Sequence, residues 1–145
     1  MIEETQRVED WELLAQCSQS FRALSDSFMD QIKMHRTQAM VLCRLFVQEG
    51  MIQSDIAQQL SVQGATITDI LQRMEEAGLV SRRRDPEDNR LVRVYLTDAG
   101  RDKERFIIEQ FLKLEDTIFT DFKDSERAQL RNYLTRVLKN MNQGR

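Results

Sequence analysis

One run constrains this chain more than any other. Between Gln53 and Thr97, two short helical patterns, a glycine stop and an alternating β pattern follow one another without a linker. In QSDIAQQL (53–60), Ile56 and Leu60, with Ile52 ahead of them, fall four apart and give a helix one apolar face. In GATITDILQRMEEAGLV (64–80), Ile67, Ile70, Leu71 and Met74 repeat at spacings of three, one and three, again a single face. Ser61 to Gln63 join the two, a connection short enough for a helix-turn-helix, and Ala57 is small where the helices must cross. Gly78 reads as a C-terminal glycine cap. Leu91 to Leu96 (Leu-Val-Arg-Val-Tyr-Leu) alternates and is rich in β-branched residues, as a strand is. Asp85-Pro86-Glu87-Asp88-Asn89 supplies turn chemistry between that strand and Val80–Arg84. Two helices followed by a hairpin predict a winged helix-turn-helix, a mainly α fold with a small β-hairpin wing.

The rest of the chain predicts helices on both sides of that unit. Its 145 residues form a single domain-sized piece, and one proline and five glycines leave few breaks. Residues 5–33 carry a heptad-like seam of Trp11, Leu14, Ser18, Phe21, Ser25, Phe28 and Ile32, suited to a core face or to a partner subunit. A second helix over 36–49 turns Met40, Val41, Leu45 and Phe46 inward, with His35 at its cap, Gln38 at the capping-box position and Gly50 at its end. Thr97 caps a further helix running to about Phe122, with Ile107, Phe111, Leu114 and Ile118 on one stripe and Ile108, Leu112 and Phe119 on the next. A last helix, capped by Asp124 or Ser125, carries Leu130, Leu134, Val137 and Met141. The expected organisation is one domain over 1–145. Within it the winged unit spans 36–97 (helix-turn-helix 53–77, wing 80–96), and 5–33 with 98–142 form a helical dimerisation part.

Several function classes are disfavoured at once. A single histidine, His35, makes no zinc cluster, and there is neither a Ser/His/Asp set nor a glycine-rich phosphate loop. No enzyme, metal or cofactor is expected. The opening Met-Ile-Glu-Glu-Thr is acidic where a secretion signal needs positive charge, and the apolar run Met40–Val47 is interrupted by Arg44 and too short for a bilayer. Cys17 and Cys43 lack disulfide or zinc spacing, so a cytoplasmic protein without membrane partners is expected.

DNA is the expected ligand, although the net charge is −3. From Gln53 to Arg93 six arginines face seven acids, but five of those arginines lie in the hairpin. Phosphate neutralisation per subunit would be modest, which makes a dimer more necessary. On the second helix of the pair, Gln63, Gly64, Ala65 and Thr66, with Thr68 and Asp69 one turn on, point away from the apolar face. Such residues meet base edges in the major groove. Gln63 can read adenine, Asp69 can accept from cytosine, and Ala65 or a threonine methyl can touch thymine. Gly64 permits close backbone approach. Gln53 and Ser54 complete the candidate contacts on the first helix of the pair, and Arg84 flanks the wing turn. Arg73 is either a phosphate contact or half of a surface pair with Asp69 or Glu76.

These residues also carry a resemblance. Ala57 to Leu60, Thr66-Ile67-Thr68, Met74-Glu75, Gly78-Leu79-Val80, Arg82, Asp88-x-Arg90 and Leu96-Thr97-x-x-Gly100 are similar to the multiple-antibiotic-resistance regulator (MarR) family of winged helix-turn-helix transcriptional regulators. The resemblance implies a homodimer on a pseudo-palindromic double-stranded operator, usually a repressor released by a small aromatic or anionic effector. It implies that Arg90 enters the minor groove while Asp88 holds it or the hairpin in place. The chain departs from the family at His35, where a Thr cap is usual, at Ser61, where the turn usually has Gly, and at Asp69, where a basic residue is frequent. A peroxide-sensing branch uses a first-helix cysteine held by tyrosines of the next helix; Cys17 is on the right helix, but 36–49 contains no tyrosine. A thiol sensor at Cys17, and a winged module that binds protein rather than DNA, are the alternatives.

Overall fold

The seam on the first helix has two fates. In the computed structural model, which describes residues 9–143, helix α1 runs Asp10–Asp30; residues 5–8 of the expected helix lie outside that range. Trp11, Leu14 and Phe21 are exposed, whereas Ser25 and Met29 are buried and Phe28 and Ile32 pack on the core. A serine is tolerated inside because its hydroxyl donates back to the Phe21 carbonyl at 2.7 Å. Helix α2 (Arg36–Val47) buries Ala39, Val41, Leu42 and Leu45. Met40 and Phe46 are only half-buried, so its inward face is rotated toward Leu42 from the one the spacing predicts. His35 takes the cap position but its side chain makes no capping bond.

Gly50 turns the chain at φ 79°, and Met51–Ile52 form a strand, β1, where an apolar helix face was expected to begin. Ile52 pairs with Arg93, and Met51 with Val94. The sheet therefore has three antiparallel strands in the order β1-β3-β2, with β2 Val80–Arg84 and β3 Val92–Leu96. Two residues are too few for alternation to register.

Helix α3 (Gln53–Gln59) and helix α4 (Gly64–Glu76) make the helix-turn-helix. Ile56, Ala57, Ile67, Leu71 and Met74 are buried against Val41, Leu42 and Leu45 of α2 and Val80 and Val94 of the sheet, in one continuous core. The turn keeps a left-handed residue at Ser61, φ 55°, and the Val62 N–H reaches back to the Ala57 carbonyl at 3.0 Å. The turn geometry is thus retained without glycine, against a strain of about 1–2 kcal/mol.

Gly78 ends α4 in a Schellman cap. At φ 74° it directs its own N–H to the Glu75 carbonyl and the Leu79 N–H to the Met74 carbonyl. The end of the wing is bonded to this same turn. The Thr97 N–H donates to the Leu79 carbonyl at 3.1 Å, and the Thr97 hydroxyl donates to the Gly78 carbonyl while accepting from the Gly100 N–H. Gly100 lies so close that a Cβ there would sit 2.1 Å from the Leu79 carbonyl oxygen.

Thr97 does cap a helix, but not one that runs to Phe122. Helix α5 is only Asp98–Asp102 and helix α6 is Glu104–Ile118. At Lys103 the N–H bonds the carbonyl of Gly100, three residues back, and the coil tightens for one step. Asp121, at φ 65°, turns the chain after α6. Helix α7 runs Asp124–Gln143, and neither Asp124 nor Ser125 precedes it as a cap; instead the Lys123 N–H donates to the Glu126 carboxylate at 2.9 Å.

The chain divides into two compact units between Phe111 and Leu112. In the second, Arg127 lies over the Phe119 ring at 4.6 Å and donates to Glu115. An open groove of about 280 Å³ is lined there by Phe119, Leu130, Leu134 and Leu138. Helix α7 buries no residue, and Tyr133, Leu134, Leu138 and Met141 remain exposed.

Two glycines test the junction. Gly100→Ala forces a methyl into backbone and should cost about 3 kcal/mol or more. At Gly64 a Cβ meets nothing within 4 Å, so Gly64→Ala should hold or raise the melting temperature. Thermal melts of the two variants check the contrast.

Candidate nucleic-acid interface

Helix α4 is amphipathic in the sense the spacing predicts. Ile67, Leu71 and Met74 are buried and Ile70 is half-buried, while Gln63, Gly64, Ala65, Thr66, Thr68 and Asp69 are all exposed. Gln63 occupies the cap position without using its side chain as a cap. The first N–H groups of α4 are therefore open to an anion, and the Gln63 amide is open to a base. Thr68 differs from its neighbours: its hydroxyl donates to the Gly64 carbonyl and accepts from the Gln53 amide, both at 2.9 Å. Gln53 is half-buried, and Ser54 is exposed beside it. Arg73 is exposed and forms no ion pair among the described residues, so the surface pair with Asp69 or Glu76 is absent here.

The wing is organised by a residue outside the candidate set. Asp85 is buried; its carboxylate accepts from the N–H groups of Glu87 (2.8 Å) and Asp88 (3.1 Å) and from the Arg93 guanidinium. Arg93 also donates to the Gly50 carbonyl at 2.9 Å, which ties the wing turn to the entry of β1. The Arg93 hydrogen bond, followed by those turn N–H groups, holds the Asp85 carboxyl below its usual range. The aspartate opening the Asp-Pro-x-Asp turn was the available signal, since aspartate bonds backbone just ahead of it.

Beyond that turn, Asp88 grips Arg90 along one edge. Both carboxylate oxygens accept from the guanidinium at 3.0 Å, and the Arg90 backbone N–H donates to Asp88 as well. Arg90 is 89% exposed even so, which leaves its other edge facing outward. Arg84 donates to the Asn89 carbonyl at 2.6 Å and braces the same tip.

A second tie links helix to wing. Glu75, near the end of α4, accepts the Arg82 backbone N–H at 2.9 Å and the Arg82 guanidinium at 3.2 Å, and these bonds lower its carboxyl from the usual range. Arg83 lies over the Tyr95 ring at 4.6 Å. The charge census of the sequence is thereby resolved: Arg82 and Arg93 serve the wing's own architecture, while Arg73 and Arg90 present charge outward. The cysteines stand apart from this face. Cys17 is exposed on α1, whereas Cys43 packs against the core and burial pushes its thiol up to about 11.

A model described as the MarR family matches residues 34–92. The HTH-type transcriptional regulator YwoH of Bacillus subtilis, itself uncharacterized, is 32% identical over 118 residues, covering 79% of this chain and 85% of that one. The chain belongs to the MarR family. YdgJ, another uncharacterized HTH-type transcriptional regulator of Bacillus subtilis, is 32% identical over 102 residues; the match spans 70% of this chain and 62% of YdgJ. Among solved structures, the S. aureus MepR–DNA complex superposes with a TM-score of 0.81 at 25% identity, covering 92% of this chain and 99% of that one. In this MarR chain the residues that carry the resemblance include the Gly78-Leu79 turn, the Asp88–Arg90 grip and the Thr97–Gly100 closure.

The Asp85 bonds give the wing a pH dependence of known sign. A carboxyl lowered in the folded state stabilises fully above its unfolded value, near 4, and loses that contribution as pH falls through the folded value. The melting temperature of the wild type should therefore exceed that of Asp85→Asn at about pH 6, and the gap should narrow as the pH falls below about 4. A constant gap across that window would show that the charge is not what holds the turn.

Proposed function

We propose that this chain is a sequence-specific double-stranded DNA-binding regulator, acting in the cytoplasm as a homodimer and repressing from a pseudo-palindromic operator. The observation that carries the reading is the pairing of an exposed α4 face, Gln63 to Thr66 with Asp69, with an Arg90 side chain held by Asp88 and turned outward. The helix face suits the major groove, where Gln63 can take adenine bidentately. Arg90 suits an adjacent narrow minor groove, where negative potential concentrates. Arg73 and Ser54 suit phosphates. A DNA complex of MepR, similar in fold, supports the same ligand class for this chain.

Dimerisation is supported by apolar area left uncovered on the flanking helices: Trp11, Leu14 and Phe21 on α1, and Tyr133, Leu134 and Leu138 on α7. Exposed apolar surface of that extent marks an interaction site more often than a free surface. Two copies would then occupy half-sites about 34–36 Å apart, one helical turn. A small aromatic or anionic effector would regulate by binding better to one separation of the two winged units than to the other.

A polarisation titration on the promoter region of the chain's own gene tests this reading. Binding should be specific and should weaken with salt. Arg90→Ala should weaken it on all duplexes and reduce the salt slope by about one per subunit, whereas Gln63→Ala should relax preference at particular base pairs. Affinity no better than for a scrambled duplex would overturn the proposal in favour of a protein-binding winged module.

A further inference from the structure

Thr68 looks outward among the candidate readers, yet its hydroxyl is already engaged. A hydroxyl has one proton and two lone pairs. Here the proton goes to the Gly64 carbonyl, and one lone pair takes the Gln53 amide N–H, each at 2.9 Å. No donor is left for a base. Gln53 is fixed in turn: its amide oxygen is buried without a partner, and its nitrogen end is the one that meets Thr68. In either orientation of that amide the Thr68 proton goes to a protein acceptor, the Gly64 carbonyl or the amide oxygen itself, so none is left for a base. Gln53 opens α3 and Thr68 lies one turn into α4, so this bond spans the helix-turn-helix.

From this we propose that Thr68 donates no hydrogen bond to a base and discriminates through its methyl group, contacting a thymine C5-methyl, and that its hydroxyl and Gln53 form a latch fixing the roll of α4 against α3. Gln53 is then a positioning residue rather than a base reader. The proposal rests on the DNA-binding reading above and assigns two of its residues different work. A methyl suits thymine because only the T·A pair shows a methyl in the major groove. Burying that one group corresponds to roughly a fourfold preference.

The two halves of Thr68 can be removed separately. The probe is the duplex that the wild-type protein enriches from a random-sequence pool, together with its single-base-pair variants. Thr68→Ser keeps the hydroxyl and should lose about fourfold discrimination at one T·A pair per half-site. Thr68→Val keeps the methyl and should retain that discrimination while binding every duplex more weakly. Gln53→Ala should resemble Thr68→Val, and the Gln53→Ala/Thr68→Val double variant should be no weaker than the weaker single, as members of one latch are. Melting temperatures within a few degrees of wild type show that each variant folds. A Thr68→Val protein that loses preference at a single base pair would overturn the inference, since the hydroxyl would then be reading. So would a Thr68→Ser protein indistinguishable from wild type at every pair, or additive losses in the double variant. If the wild type enriches no duplex at all, it is the DNA-binding reading that fails, and this inference with it.

Discussion

Helix α4 and the wing hang from one backbone junction. Gly78 and Leu79 leave α4 and enter β2; Thr97 and Gly100 leave β3 and enter α5; the two turns are bonded through the Thr97 N–H to the Leu79 carbonyl and the Thr97 hydroxyl to the Gly78 carbonyl. Glycine is required twice, for different reasons. Gly78 needs a left-handed backbone, and Gly100 needs the absence of a Cβ beside the Leu79 carbonyl. Backbone hydrogen bonds of this kind are short, directional and insensitive to salt. They fix where the wing leaves the core more firmly than surface charge pairs could.

From that junction outward, charge takes over. Glu75 joins α4 to β2 through Arg82, and Asp85 joins the wing turn through Arg93 to the carbonyl of Gly50. Each carboxylate accepts backbone N–H groups as well as a guanidinium, so each is a local organiser and not merely an ion pair. This division explains how a segment of nearly neutral charge can still present arginine to a polyanion. Structural arginines are matched by structural acids, and Arg90 is gripped along one edge by Asp88, leaving the other for a partner.

The parts of this design that sequence exposes are those with a local signature. Ile67, Leu71 and Met74 announce the buried face of α4 by period, Gly78 announces its end, and Thr97 announces the next helix. What escapes depends on partners far along the chain. Met51–Ile52 become a strand only because β3 offers an edge forty residues on, and Ile52 alone fits a helical period equally well. The Arg93 contact with Gly50 spans the same gap. Glu75 and Glu76 look alike in sequence, and only the return of β2 past α4 gives Glu75 its partner. The tightened turn at Lys103 has no proline to mark it, and Gly100, whose carbonyl it bonds, already serves the junction with Leu79. Thr68 shows the limit from the other side: its place on the exposed face is legible, but the engagement of its hydroxyl by Gln53 is not.

The central claim is that α4 and the wing form one rigid reader, presented twice per operator. Hydroxyl-radical footprinting, which reads the sugar edge and minor groove, run beside dimethyl-sulfate protection of guanine N7 in the major groove on the enriched duplex, tests it most directly. The account predicts two protected tracts with centres about 10–10.5 base pairs apart, each flanked by minor-groove protection at a fixed offset where the wing lies. A single tract, or major-groove protection whose minor-groove flank is missing or varies in offset from site to site, would contradict it.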